Sequence, residues 1–294
     1  GRNRTGGLVG QNAGSVTHSA VGGRVTGDHD VGGLVGESSG TVDGSDATAS
    51  VDADGDVGGL VGALDGNGIL DRSYATGTVT GRDDVGGLVG TLTRKGTVTD
   101  SYAIGDVTGD TAVGGLVGTL ARNGTVTRSY AAGSVTGGSA VGGLVGDATD
   151  DAEVSAAYWD TVRTGQTASA GGTGLLTNGL TGTDVDTGTA LAVGTIWGVD
   201  TDQPVSYPYL LENTQSPPLV PSDTASPTVT TFDVESRSGQ DVRVTVNVTE
   251  PLSTLRVSVD GPEPATFTRD EFTEAQTGVG YRYTATLDGD TDGT

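Results

Sequence analysis

The chain has no cysteine, a single lysine (Lys95) and only 4% aromatic residues, and each shortage removes a class of explanation. Without cysteine there is no disulfide, no thiolate metal site and no cysteine nucleophile, and the redox compartment cannot be read from this residue type. Histidine is almost as scarce, with only His18 and His29. No HExxH pattern and no Ser, His and Asp grouping stands out, which opposes a peptidase. At 33% hydrophobic residues over 294 positions the chain is too lean for one conventional globular core of that size. No apolar run approaches the roughly 20 residues of a membrane span, and no signal peptide opens the chain. The first residues already lie inside a repeat and the last, DGDTDGT, stop partway through a strand-rich stretch, so both ends read as cut from a longer precursor. Positive charge is scarce too: 15 Lys plus Arg stand against 38 Asp plus Glu, net -23. Such a surface repels nucleic acid and anionic lipid headgroups.

What the chain has in quantity is glycine, 52 residues, and it is periodic. The hexapeptide VGGLVG stands at Val31, Val57, Val85, Val113 and Val141, with a TGGLVG variant at Thr5, giving steps of 26, 26, 28, 28 and 28 residues. A period of this size marks a solenoid, and the glycine spacing is not that of collagen. One full unit reads GTVTDSYAIGDVTGDTAVGGLVGTLARN from Gly96. GTVTDSYA, GDVTG and AVGGLVG within it are Val- and Thr-rich with Gly or Asp at the joins, so three strands and three corners form one coil of a parallel β-helix. A nucleotide-binding reading of the paired glycines fails, because neither a Lys-Ser or Lys-Thr pair nor a helix follows them. They mark corners of positive φ or close backbone approach instead.

Comparing copies within the chain assigns faces. Val16, Val42, Leu70, Val98, Val126 and Val154 form an aliphatic inward column; His18, Gly44, Arg72, Asp100 and Arg128 form a mixed outward one; Ser19, Ser45, Ser73, Ser101 and Ser129 are invariant and small, as an inner corner requires. Tyr74, Tyr102, Tyr130 and Tyr158 follow at steps of 28 residues, with Asp46 in their place one coil earlier. Alternation turns these tyrosines outward, as a stacked ladder that stiffens the solenoid or offers sugar rings a flat aromatic platform. Asp52, Asp54 and Asp56 alternate like calcium-loop carboxylates and are the candidate metal ligands; the sixth-position Gly and twelfth-position Glu of an EF-hand are Val57 and Ala63, so a solvated turn is the plainer reading. Calcium is the one cofactor this pattern allows. Asp288, Asp290 and Asp292 read as a DG-rich hairpin. Three N-glycosylation sequons occur, at Asn3, Asn123 and Asn247.

The repeats resemble GLUG-motif repeats, found in large secreted or surface-anchored proteins, including adhesins. The resemblance covers residues 1–211, since YWDTVRTGQTASAGGTGLLT and the later IWGVD and YPYLL resemble the tail that follows such repeats. It implies a β-solenoid on a cell surface and no catalytic residue. The acidic, lysine-poor composition resembles extremely halophilic archaeal proteins, and TFTRDEFTEAQTG with YRYTATLDGDTDGT resembles β-sandwich repeats of haloarchaeal surface proteins. The expected organisation is therefore all-β: a parallel β-helix of about six 26–28-residue coils over residues 1–146, a C-terminal cap over 147–215 where Trp159, Trp197, Tyr207 and Tyr209 concentrate, a Pro- and Ser-rich linker over 216–227, and an immunoglobulin-like β-sandwich, cut short, over 228–294. The expected function is a non-catalytic, extracellular or cell-surface structural and adhesive protein whose partners are surface glycans or neighbouring surface proteins, with no membrane span in this stretch. The alternative is a glycan-active β-helix enzyme, a polysaccharide lyase or hydrolase. Its chemistry needs two unequal carboxylates in a groove of irregular loops, whereas the corners here, GDHD, GRDD and GDTA, are short and nearly alike.

Overall fold

The computed structural model describes residues 4–149, 151–182, 184–200, 206–213, 218, 229–236, 242–248, 256–259, 265–268, 272–277 and 280–287. It divides into two compact units, residues 1–221 and 222–294. The division falls inside the Pro- and Ser-rich stretch expected to be a linker.

The first unit is a parallel β-solenoid of about six turns. Every strand of a coil pairs in parallel with its counterpart one repeat later, so that Val57 stands beside both Val31 and Val85, and Val98 beside Leu70 and Val126. The coil holds five short strands where three were expected. In one coil these are Asp83–Gly86, Val89–Leu92, Thr97–Thr99, Tyr102–Ala103 and Val107–Thr108. The extra breaks have a backbone cause. GTVTDSYA splits because its middle residue is left-handed in coil after coil, with φ of 45° at His18, 57° at Gly44, 42° at Arg72, 45° at Asp100 and 44° at Arg128. VGGLVG splits at its second glycine and leucine, between strands such as Thr111–Gly114 and Val117–Leu120.

The motif glycines serve close approach. A Cβ on Gly59 would lie 2.1 Å from the Gly87 carbonyl oxygen, and one on Gly87 at 2.1 Å from that of Gly115. Stacked coils therefore touch backbone to backbone at this corner, where no side chain fits. The step from 26 to 28 residues is equally local. Leu64 pairs with Ser38 and Ile69 with Thr41, so both extra residues lie in the turn between Leu64 and Ile69. In the longer coils Leu64, Leu92 and Leu120 are fully buried at that corner, while in the shorter ones Asn12 and Ser38 take the place and hydrogen-bond each other at 3.0 Å.

The inward column is confirmed, with Val42, Leu70, Val98 and Val126 buried among the motif leucines and valines. The serine corner is a ladder. Each backbone N–H of Ser19, Ser45, Ser73 and Ser101 donates to the hydroxyl of the next serine at 3.1–3.2 Å, and each of the serine hydroxyls from Ser45 to Ser129 donates to the carbonyl two residues before it at 2.7–2.9 Å. Only a small side chain that both donates and accepts meets this double requirement.

After the last coil the chain pairs Thr173–Leu175 with Tyr158–Asp160 in parallel. The Ser169 hydroxyl accepts the N–H of Val145 at 2.8 Å and Trp159 packs on the face of Gly143, so these residues cover the solenoid's last edge. The second unit has a four-stranded antiparallel sheet in the order Val229–Ser236, Val242–Val248, Gly280–Leu287, Thr273–Thr277, and a two-stranded pair, Arg256–Val259 with Ala265–Thr268. Val244, Val246 and Tyr283 are buried within it. Asp288, Asp290 and Asp292 lie outside the described residues.

Candidate functional site

The tyrosine column is the most built feature of the chain. Tyr74 and Tyr102 stack with centroids 5.0 Å apart at 4°, and Tyr102 and Tyr130 at 5.0 Å and 2°. Parallel strands in register place identical rings about 4.8 Å apart, so the spacing follows from the repeat itself. The next residue of each strand, Ala75, Ala103 or Ala131, packs in the tube interior, so each ring lies on the outer side of the coil wall, as alternation requires.

Exposure does not follow. Tyr102 and Tyr130 are 0% exposed and Tyr74 and Tyr158 only 8%, which corrects the expectation of a solvent-facing ladder. The residues after the last coil run back along this side of the tube and bury the rings under Leu180, Val185, Leu191, Trp197, Tyr207 and Leu210. Trp197 sits 6.0 Å from Tyr102 and 5.7 Å from Tyr130, and Tyr207 stacks on Tyr130 at 6.1 Å. The platform proposed for sugar rings is occupied by the chain itself. Of the four large aromatics expected at the solenoid end, Trp159 alone packs with the tube core, while Trp197 and Tyr207 cover its side.

The polar tips of three of these rings have hydrogen-bond partners. Tyr130 donates to the Pro208 carbonyl at 2.6 Å, Tyr158 accepts the Ala190 N–H at 2.7 Å, and Tyr207 donates to Asp160 at 2.6 Å. Asp160 also accepts the N–H groups of Val162 and Arg163, each at 2.9 Å, and so caps the short helix Thr161–Thr164. Burial pushes the Asp160 carboxyl up, and the hydrogen bond from Tyr207 opposes that only in part. Burial likewise holds the Tyr130 and Tyr207 phenols well above the ordinary range, and Tyr74 is pushed up to about 12, by burial first and then by the charge of Asp46. At the far end of the covering segment Glu212 pairs with Arg72 at 3.1 Å, and Arg72 also holds Asp43 at 2.9 Å. The segment's last contacts thus fall in the same coil as Tyr74, the last tyrosine, and one coil before it Asp46 replaces the ring. The sequence shows only that aromatics concentrate after the last coil, without placing them over the tyrosines.

The remaining candidates are dispersed. Asp52 pairs with Arg24 at 2.6 Å, Asp54 is exposed, and Asp56 accepts a hydrogen bond from Thr91. Among the described residues no three acidic or histidine side chains gather into a metal-holding group, and Asp52, Asp54 and Asp56 are not brought together. The strand Ser50–Asp52 ends at Asp52, Asp54 lies in the exposed bend after it, and Asp56 sits at a left-handed φ of 48° that turns it into a different neighbourhood. Asn3 lies outside the described residues, Asn123 stands in an exposed turn, and Asn247 lies within a central strand of the second unit. Among the described residues no helix is long and apolar enough to cross a membrane.

The GLUG motif family matches residues 53–80 and 81–108. No curated protein and no solved structure matches the chain. The two matched stretches are consecutive turns of the first unit, a β-solenoid that carries GLUG-motif repeats.

Proposed function

We propose that the chain is a non-catalytic structural and adhesive protein, secreted or held at a cell surface, whose solenoid is a salt-adapted rod. In this reading residues 147–215 close and brace the rod, and residues 228–294 form an immunoglobulin-like module that the rod carries. Contacts with surface glycans or neighbouring surface proteins fall to the polar columns left exposed, such as Thr80, Thr108 and Thr136, because the tyrosine column is covered.

The observation that carries the reading is the sameness of the coils. Asp56 and Asp84 have φ of 48° and 53°, and each accepts a hydrogen bond from the threonine 35 residues later. A glycosidase needs two carboxylates about 5 to 9 Å apart in unequal settings, one to donate a proton and one to attack or activate water. One backbone form repeated from coil to coil, with Ala112 and Ala140 in the place of the aspartates in the next two coils, gives no support to such a division of roles. The net charge of -23 supports salt adaptation, since in molar salt the Debye length is about 3 Å and mutual repulsion is quenched.

Two measurements test the proposal. The full chain should release no sugar from a panel of acidic polysaccharides, and turnover abolished by one Asp substitution would favour the enzyme. Antibody against the solenoid should label intact cells that produce the chain; labelling only after lysis would refute the surface location.

A further inference from the structure

We infer that Asn123 is an attachment site for an N-linked glycan, carried on the edge of the solenoid. The inference rests on the reading that the chain is exported. Asn123, Gly124 and Thr125 form a sequon in the turn that closes one of the long coils. Arg122 and Asn123 both take left-handed φ, 52° and 61°, and both are exposed. The turn is closed by the Gly124 N–H, which donates to the Ala121 carbonyl at 3.0 Å, so the Asn123 side chain is not needed to hold it. Among the described residues its amide reaches the Asp151 carbonyl, at 3.5 Å, the outer limit of a hydrogen bond.

Asn247 offers a contrast. It lies in Val242–Val248, a strand paired on both sides, opposite Thr231 and Arg282. Its amide donates to the Thr231 hydroxyl and accepts from Arg282 Nε at 3.2 Å. A sugar on that Nδ2 would compete with its bond to Thr231 and lie on a sheet, whereas one on Asn123 projects from a turn.

The repeat supplies internal controls. The same turn position is Asn67 one pair of coils earlier and Lys95 in the coil between, both exposed. Asn67 is followed at the third position by Ile69, which lacks the hydroxyl, and Lys95-Gly96-Thr97 lacks the amide. Only the coil with Asn123 has both. The reaction takes a lipid-diphosphate-linked oligosaccharide as donor: Asn123 Nδ2 bonds to the anomeric carbon, the bond from that carbon to the diphosphate oxygen breaks, the lipid diphosphate leaves, and the amide proton passes to a base of the transferase.

The test routes the full chain, behind an added signal peptide, through a host with an oligosaccharyltransferase. Trypsin frees Asn123 to Arg128 as one peptide, since Arg122 precedes it, and mass spectrometry after enzymatic deglycosylation reads occupancy. The peptide should be occupied in most secreted molecules, bare in Asn123→Gln and Thr125→Val, and occupied in Thr125→Ser. Lys95→Asn should gain a second occupied peptide. A secreted chain with Asn123 bare, or Lys95→Asn with no added glycan, overturns the assignment. Because secretion is imposed, neither result bears on the native location, which the cell-labelling experiment decides separately.

Discussion

Replacing Tyr102 distinguishes a buried seam from an exposed ladder by energy. On a solvent-facing ladder the loss of one stacked ring costs about 0.5–1.5 kcal/mol. In the structure Tyr102 is 0% exposed, stacked between Tyr74 and Tyr130 and roofed by Trp197. Removing a buried aromatic side chain loses its transfer energy and leaves a cavity, together about 3–5 kcal/mol. Tyr102→Ala should therefore cost at least about 3 kcal/mol, close to the loss from truncating a fully buried core leucine such as Leu88. The assay is urea unfolding followed by tryptophan emission. Both tryptophans, Trp159 and Trp197, lie in the solenoid unit, so the signal is specific to it. If Tyr102→Ala fails to fold, Tyr130→Phe provides the second measure: it deletes one hydroxyl and leaves the buried Pro208 carbonyl without its 2.6 Å donor, for about 1–3 kcal/mol. A Tyr102→Ala loss below about 1.5 kcal/mol, with Trp197 open to iodide quenching in the unmutated protein, would refute the covered seam.

Three further outcomes are expected. Burial raises the carboxyls of Asp46, Asp71, Asp84 and Asp160 above their unfolded value of 3.8, so between those values the folded state binds more protons than the unfolded chain. Stability therefore falls as pH rises through that window and recovers on acidification toward it; among the described carboxyls, exposed Asp151 is shifted the other way. In molar salt the melting temperature should rise as the pH is lowered from 7 toward 4, and a fall would show that the sign is wrong. Ser101→Ala removes the hydroxyl that accepts the Ser73 N–H at 3.1 Å and should cost about 1–3 kcal/mol in the same urea assay, with no loss meaning that a water or neighbour replaces it. Gly87→Ala would set a Cβ 2.1 Å from the Gly115 carbonyl oxygen, a backbone atom that cannot move without parting two coils; a loss of about 3 kcal/mol or more is expected by circular dichroism melting, and a native-like melt would contradict the close approach.

The repeat period, the parallel stacking and the inward column were legible in the sequence because a solenoid coil meets only its neighbours, so each contact recurs as a residue type at a fixed step. The serines of the corner showed their place by being invariant and small, though the two-way hydrogen bonding that makes them invariant needed coordinates. The number of strands per coil was not legible. It depends on left-handed φ at residues as different as His18, Arg72 and Asp100, whose side chains carry no common signal for that conformation. The dispersal of Asp52, Asp54 and Asp56 was not legible for a related reason: their spacing is a one-dimensional fact, and whether they gather depends on where three side chains point. Alternation placed the tyrosines outside the tube wall, and no local pattern could go further. Only the tertiary structure decided that outside is not exposed, because the cover comes from Leu180 to Leu210, far along the chain. Burial there is set by a segment that folds back along the tube, which no strand period records.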